Sequence, residues 1–188
     1  MSTSLIILIV IAVVVVMLIG IYNRIVGLGQ NRKNAFSDID VQLKLRHDLI
    51  PNLVETVKGY ATHEKSVFEN VTAARATAMK GGTISDRAKA EGALSGAMMN
   101  LMAVAENYPQ LKADSNFRQL QGELSDIENK IAAARRFFNN ATNEYNTAIK
   151  QFPDVLLAGA AGWKEEDFFE LSEDEKKAVE EAPKVNFG

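Results

Sequence analysis

The chain has 188 residues, 47% hydrophobic and 24% charged, and no cysteine; this suits one helical domain with an appendage and excludes disulfides, thiol catalysis and thiolate metal sites. Its net charge is −3, with nine acidic and four basic residues crowded into 164–188. No basic stripe runs along the chain, so nucleic acid is not an expected partner.

After a short segment at residues 1–4, Leu5–Ile21 runs 17 residues without a charge, at the short end of the ~17–25 that cross a bilayer. With Tyr22 as an interfacial aromatic, residues 5–22 read as a transmembrane helix. A cleaved signal peptide would need a basic region before the run and a small-x-small site after it, and neither is there. No Lys or Arg precedes the span, while Arg24, Arg32 and Lys33 follow it. The positive-inside rule therefore places the N-terminus outside and the C-terminal body in the cytoplasm, as expected of a single-pass membrane protein. Residues 23–33 form the juxtamembrane connection. There Gly27 and Gly29 mark either a flexible joint or, the preferred reading, close-packing positions in a helix that continues out of the membrane. Gly27–Arg32 is a near miss to a dinucleotide fingerprint, lacking the third glycine and a preceding βαβ unit.

Residues 34–152 are the expected bundle. From Asn34 to Ala78 apolar residues keep a seven-residue repeat, with Phe36, Leu43, Ile50, Val57, Val71 and Ala78 in one row and Ile39, Leu53, Tyr60, Val67 and Ala74 beside it. This predicts one long amphipathic helix, kinked near Arg46–His47 by Pro51. Arg46 and Glu64 interrupt the rows. Gly81–Gly82 should stop that helix, and Ser85 or Asp86 should cap a second one reaching about Asn107. Its stripe is Ala90, Leu94, Ala97, Met98, Leu101, Met102 and Ala105; Gly92 and Gly96 suggest close helix approach, and the methionines read as core. Tyr108–Pro109 begins a turn.

A third helix is predicted over Ser115–Phe152, 38 residues and so ~57 Å. Phe117, Leu124, Ile131, Phe138, Tyr145 and Phe152 form one row, and Leu120, Ile127, Ala134, Ala141 and Ala148 the next. The matching repeats of the long helices predict an elongated antiparallel bundle packed like a coiled coil. The fold class is therefore all-α: a transmembrane helix, a bundle of long helices and, within 153–188, a short C-terminal helix. Val155–Trp163 is too short to span a membrane and too apolar for water. Ser172–Glu175 is a capping box for a short acidic helix, and the chain should close extended.

The search for chemistry finds little. His47 and His63 stand 16 residues apart on one expected helix, too far to share a metal, and read as surface or capping residues. His63–Val67 begins like a zinc HExxH with Val67 in place of the second histidine. Carboxylate pairs such as Asp38/Asp40 do not share a helical face, and no phosphate loop, GxSxG or Cys nucleophile is present. No enzyme activity, catalytic residue, cofactor or metal is expected. Two features stand out. Arg46 lies in a core row and needs a buried partner, such as Glu123 or Glu128, or a subunit contact. Arg136, Asn139, Asn143 and Asn146 form a polar stripe on the third helix, unusual because asparagine is a poor helix former; it reads as either a solvated face or an assembly face.

Three blocks, Ser37–Glu64, Glu106–Asn146 and the closing Glu181–Gly188, resemble the bacterial LemA family, and the likeness covers nearly the whole chain from Tyr22. Leu45 stands where a basic residue is usual and Phe138 where tyrosine is. The resemblance implies a single-pass membrane protein with a cytoplasmic helical bundle and no established enzyme activity or agreed catalytic residues. Members are similar to proteins associated with magnetosome membranes, and others are encoded near membrane zinc proteases, a context that points to the envelope.

The expected function is a non-enzymatic scaffold, held in the bilayer by Leu5–Ile21, that forms homo-oligomers. The competing expectation is an adaptor or regulator of a membrane protease or envelope-stress system, bound through the Arg136–Asn146 face. The Val155–Trp163 segment would be covered by a neighbouring copy, or by the membrane with Trp163, Phe168 and Phe169 at its surface.

Overall fold

A computed structural model describes residues 2–170; the capping box at Ser172–Glu175, the short acidic helix and the extended close expected of the chain lie outside the described residues. The chain is all-α. Among the described residues six helices follow one another: α1 (Thr3–Lys58), α2 (Lys65–Ala78), α3 (Ile84–Glu106), α4 (Pro109–Ala113), α5 (Ser115–Ala148) and α6 (Asp154–Ala161).

α1 begins just ahead of the apolar run and passes Gly27, Gly29 and Pro51 without a break. It stops at Lys58, so the single helix expected over Asn34–Ala78 is two. The cause is readable: Gly59 weakens the helix, and a continued helix would carry Glu64 in its core row. Ending the helix early lets Tyr60 leave the apolar row for the surface and leaves Glu64 at the N-cap of α2. Gly81 and Gly82 then take φ of +74° and +127°, backbone that L side chains avoid, to turn the chain into α3. The cap of α3 is Thr83 rather than Ser85 or Asp86: its hydroxyl accepts from the Asp86 N–H at 3.1 Å, and Asp86 accepts from the Thr83 N–H at 3.2 Å. Gly96 has open space beside it, so close helix approach is not made there. α5 ends at Ala148, short of Phe152, and a turn leads through Pro153 into α6.

The chain divides into two compact units, residues 1–39 with 134–167, and residues 40–133 with the segment from Phe168. The second unit is a helical bundle. Leu53 and Val57 of α1, Val71 of α2, Leu94 and Leu101 of α3, and Phe117 of α5 are buried in one core, the rows that the seven-residue repeat marks. α1 and α5 run antiparallel within it: Arg46 of α1 meets Glu128 of α5 and, just past the end of α1, Tyr60 meets Asp114, just ahead of α5. In the first unit the same two helices pair antiparallel, with Gly29 beside Tyr145, Arg32 beside Thr142 and Phe36 against Phe138. A small core of Ile21, Ile25, Tyr145, Ile149 and Ala158 closes that unit. Ahead of it the apolar run Leu5–Ile19 is exposed throughout.

Candidate functional site

Each unit carries one network of buried charge. In the second unit it is built on Arg46 and His47, adjacent on α1. Arg46 is 2% exposed; its Nη2 donates to Ser95 Oγ at 2.8 Å and its Nη1 lies 3.6 Å from Glu91 Oε2. Its Nε stands 3.1 Å from Glu128 Oε1, an ion pair without hydrogen-bond alignment. His47 Nε2 meets the other Glu91 oxygen at 2.8 Å, and Arg75 Nε donates to the His47 carbonyl at 2.6 Å. Thus α1, α2, α3 and α5 all meet at one pair of residues, α2 through the His47 backbone carbonyl.

Several expectations are corrected here. His47 is a buried member of an ion network, not a surface histidine, whereas His63 is exposed. Of the two proposed mates for Arg46, Glu128 is present, while Glu123 bonds Gln119 along its own helix. Glu91 is the partner that the sequence reading missed. It was findable, because it shares a seven-residue row with Ile84, Met98 and Ala105, the same anomaly of a charge among apolar residues that marks Arg46.

In the first unit Arg32 is the hub. Its Nε donates to Thr142 Oγ1 at 3.1 Å and its Nη2 to the Asp167 carbonyl at 3.1 Å, Nη1 lies 3.2 Å from Glu166, and the guanidinium sits 5.0 Å from the Phe138 ring centroid. Asn146 is buried beside it and bonds the Glu166 backbone twice. Tyr145 has its hydroxyl pushed above the usual tyrosine range, by burial first and by the Glu166 charge second, with Arg32 opposing. A cleft of about 300 Å³ opens here between Ile25, Gly29, Lys33, Tyr145, Trp163 and Glu166.

The polar stripe of α5 therefore divides. Asn146 is buried and Asn139 is half-buried, whereas Arg136 and Asn143 are exposed together with Phe137 and Asn140. The apolar C-terminal stretch also divides. Trp163 is half-buried, with its ring 5.5 Å from that of Tyr22, and Ala158 is buried, so the chain itself covers part of this stretch, while Val155, Leu156 and residues 159–162 stay exposed. Phe168 is half-buried and Phe169 is buried; Phe169 is thereby removed from any membrane surface. Among the described residues, no group of His, Asp and Glu is arranged to hold a metal.

Residues 35–187 match the LemA family. The chain belongs to the LemA family. The match begins past the apolar run and takes in all of α2 to α6, so the LemA region contains both charge networks except for Arg32 and Arg24. This LemA protein is similar to the magnetosome protein MamQ of Magnetospirillum gryphiswaldense, 26% identical over 174 residues, with 79% of this chain and 64% of that protein covered. It is equally similar to the magnetosome protein MamQ 2 of Paramagnetospirillum magneticum, 26% identical over 175 residues with the same shares. The chain spans a little under two thirds of the length of these relatives.

Proposed function

We propose that this LemA protein is a membrane-anchored, non-enzymatic scaffold whose bodies associate side by side. The anchor is the run Leu5–Ile21, in a helix long and apolar enough to cross a membrane whose apolar window is only 6% buried, unlike the core helix of a water-soluble bundle. The N-terminus would face outward and the body the cytoplasm. The observation that carries self-association is the open face of α5: Phe137 is 51% exposed, Asn140 stands one turn on from it, and Arg136 and Asn143 are exposed on its flank. An exposed aromatic with arginine and amide side chains to one side suits an interface, where aromatic residues and arginine are enriched. The inner charges of both networks are spent within the chain, which gives a firm body rather than a reactive pocket.

Because the chain has no cysteine, Asn143→Cys supplies one unique label. In native membranes a short bis-maleimide should link two copies at Asn143→Cys, and Phe137→Ala in the same background should abolish the link. Linkage only to a different membrane protein would instead favour the adaptor role at the same face.

A further inference from the structure

α6 holds an unusual position. At eight residues it is ~12 Å long, yet both its ends are tied to nearly one level of α1. Asp154, its first residue, is buried and paired with Arg24; Trp163, just past its C-terminus, packs on Tyr22. Tyr22 and Arg24 are only ~3 Å apart along the α1 axis. Both ends of α6 are therefore held near the level where the uncharged run ends. The level is that of Ile21, the last residue of the uncharged run, which sits in one small core with Ile25 and Ala158.

The covered sides of α6 are equally clear. Ile21 and Ile25 close it toward α1, and Tyr145 and Ile149, which lie further from the span because α5 runs antiparallel, close it toward the body. What stays open is the side that none of these residues covers. There Leu156 is 67% exposed and Phe152, at the preceding turn, 80%, with Val155 beside them. Apart from Asp154, held by Arg24, α6 has no polar side chain, so nothing on it prefers water.

We propose that α6 is an interfacial helix lying in the headgroup region of the same bilayer that α1 crosses, with Phe152, Val155 and Leu156 seated at the acyl boundary. The occupant of its open side is the lipid surface. Continuity decides this: the open residues adjoin the end of the span, where the bilayer surface must be if Leu5–Ile21 is inserted. The basic groups beside them, Arg24 and Lys150, are paired with Asp154 and Glu165, so the seating rests on the apolar side chains and not on attraction to anionic headgroups. The inference rests on α1 being a membrane span. It makes the body a tethered, oriented object, not one that swings on a single helix.

The test uses the full chain reconstituted in vesicles of mixed zwitterionic and anionic phospholipid, with a fluorophore on single cysteines at Leu156→Cys, at Phe152→Cys and, as a control for the anchor, at Val14→Cys. Lipids carrying a nitroxide at a shallow acyl position should quench the labels at 156 and 152 several-fold more than aqueous iodide does, while deep nitroxide quenches the label at 14. Free access of iodide to 156 and 152, with 14 still quenched by lipid, overturns the interfacial helix and leaves the anchor standing. Protection of 156 from both quenchers overturns it as well, by placing a second copy or another protein on α6. Iodide access at 14 overturns anchor and interfacial helix together. Native helicity by circular dichroism qualifies each labelled variant, and the two label sites guard against a single failed one.

Discussion

Asn146 holds the backbone of Glu166 at both of its polar groups: its side-chain amide donates to the Glu166 carbonyl at 2.9 Å, and its side-chain carbonyl accepts from the Glu166 N–H at 2.9 Å. A segment without regular structure is thereby fastened to α5. Asn146→Ala should cost about 1–2 kcal/mol from the two lost hydrogen bonds, and Asn146→Asp should lose the one that its amide donates. Amide hydrogen exchange at Glu166 measures this directly, with exchange accelerating in both variants.

Arg46 and Glu91 are both buried, whereas the Glu128 side chain is 42% exposed. Removing either buried partner takes the one buried countercharge from the other, leaving Arg46 with Ser95 and the part-exposed Glu128, or Glu91 with His47, so Arg46→Ala and Glu91→Ala should each destabilise by about 3 kcal/mol. Glu128→Ala should cost under about 1 kcal/mol, as expected of a pair open to water. Urea unfolding of the three variants checks the order. A paired replacement of Arg46 and Glu91 by Met and Leu should recover most of the loss, because neither charge is then left alone.

Asp114 caps α5 and receives Tyr60. Its carboxyl is held below the usual carboxylate range, first by the Phe117 N–H at 2.9 Å and then by the Tyr60 hydroxyl at 3.0 Å. A lowered folded-state value means stability that is present above the unfolded value, about pH 4, and is lost as pH falls through the folded one. Asp114→Ala should therefore lower Tm at neutral pH and show a smaller further drop on acidification than the parent chain. Asp86, held low mainly by Thr83, should behave alike at the start of α3. Tyr60→Phe removes one of the two Asp114 contacts and should move the acid transition upward.

Much of the body was legible from periodicity alone. Ile39, Leu53, Val57, Phe117, Leu124 and Phe138 are buried as their rows require, because a helix that packs must repeat its apolar residues at that spacing. The family was equally plain from its long blocks. Boundaries were harder. Gly59 was visible as a weak point, but whether a helix survives one glycine depends on tertiary gain, and here a turn that frees Tyr60 to reach Asp114 prevails. Phe152 fits its row by count yet is exposed, because α5 unwinds before it. Asn146 looked like its stripe-mates since spacing cannot tell an amide that meets water from one that meets a backbone segment 20 residues on. Glu91 was overlooked although Arg46, a charge in the same kind of position, was noticed; a buried charge implies a second one, and scanning every apolar row for it would have paired the two.

The central claim is that this LemA protein assembles with itself through the α5 face. Particle mass of the full chain in mild detergent tests it most directly, with Phe137→Ala measured beside it. The account predicts a discrete assembly of many 20.6 kDa subunits that falls toward the single-chain mass in Phe137→Ala while helicity is kept. A parent chain that remains at the mass of one copy plus its detergent, over the whole concentration range, would contradict it.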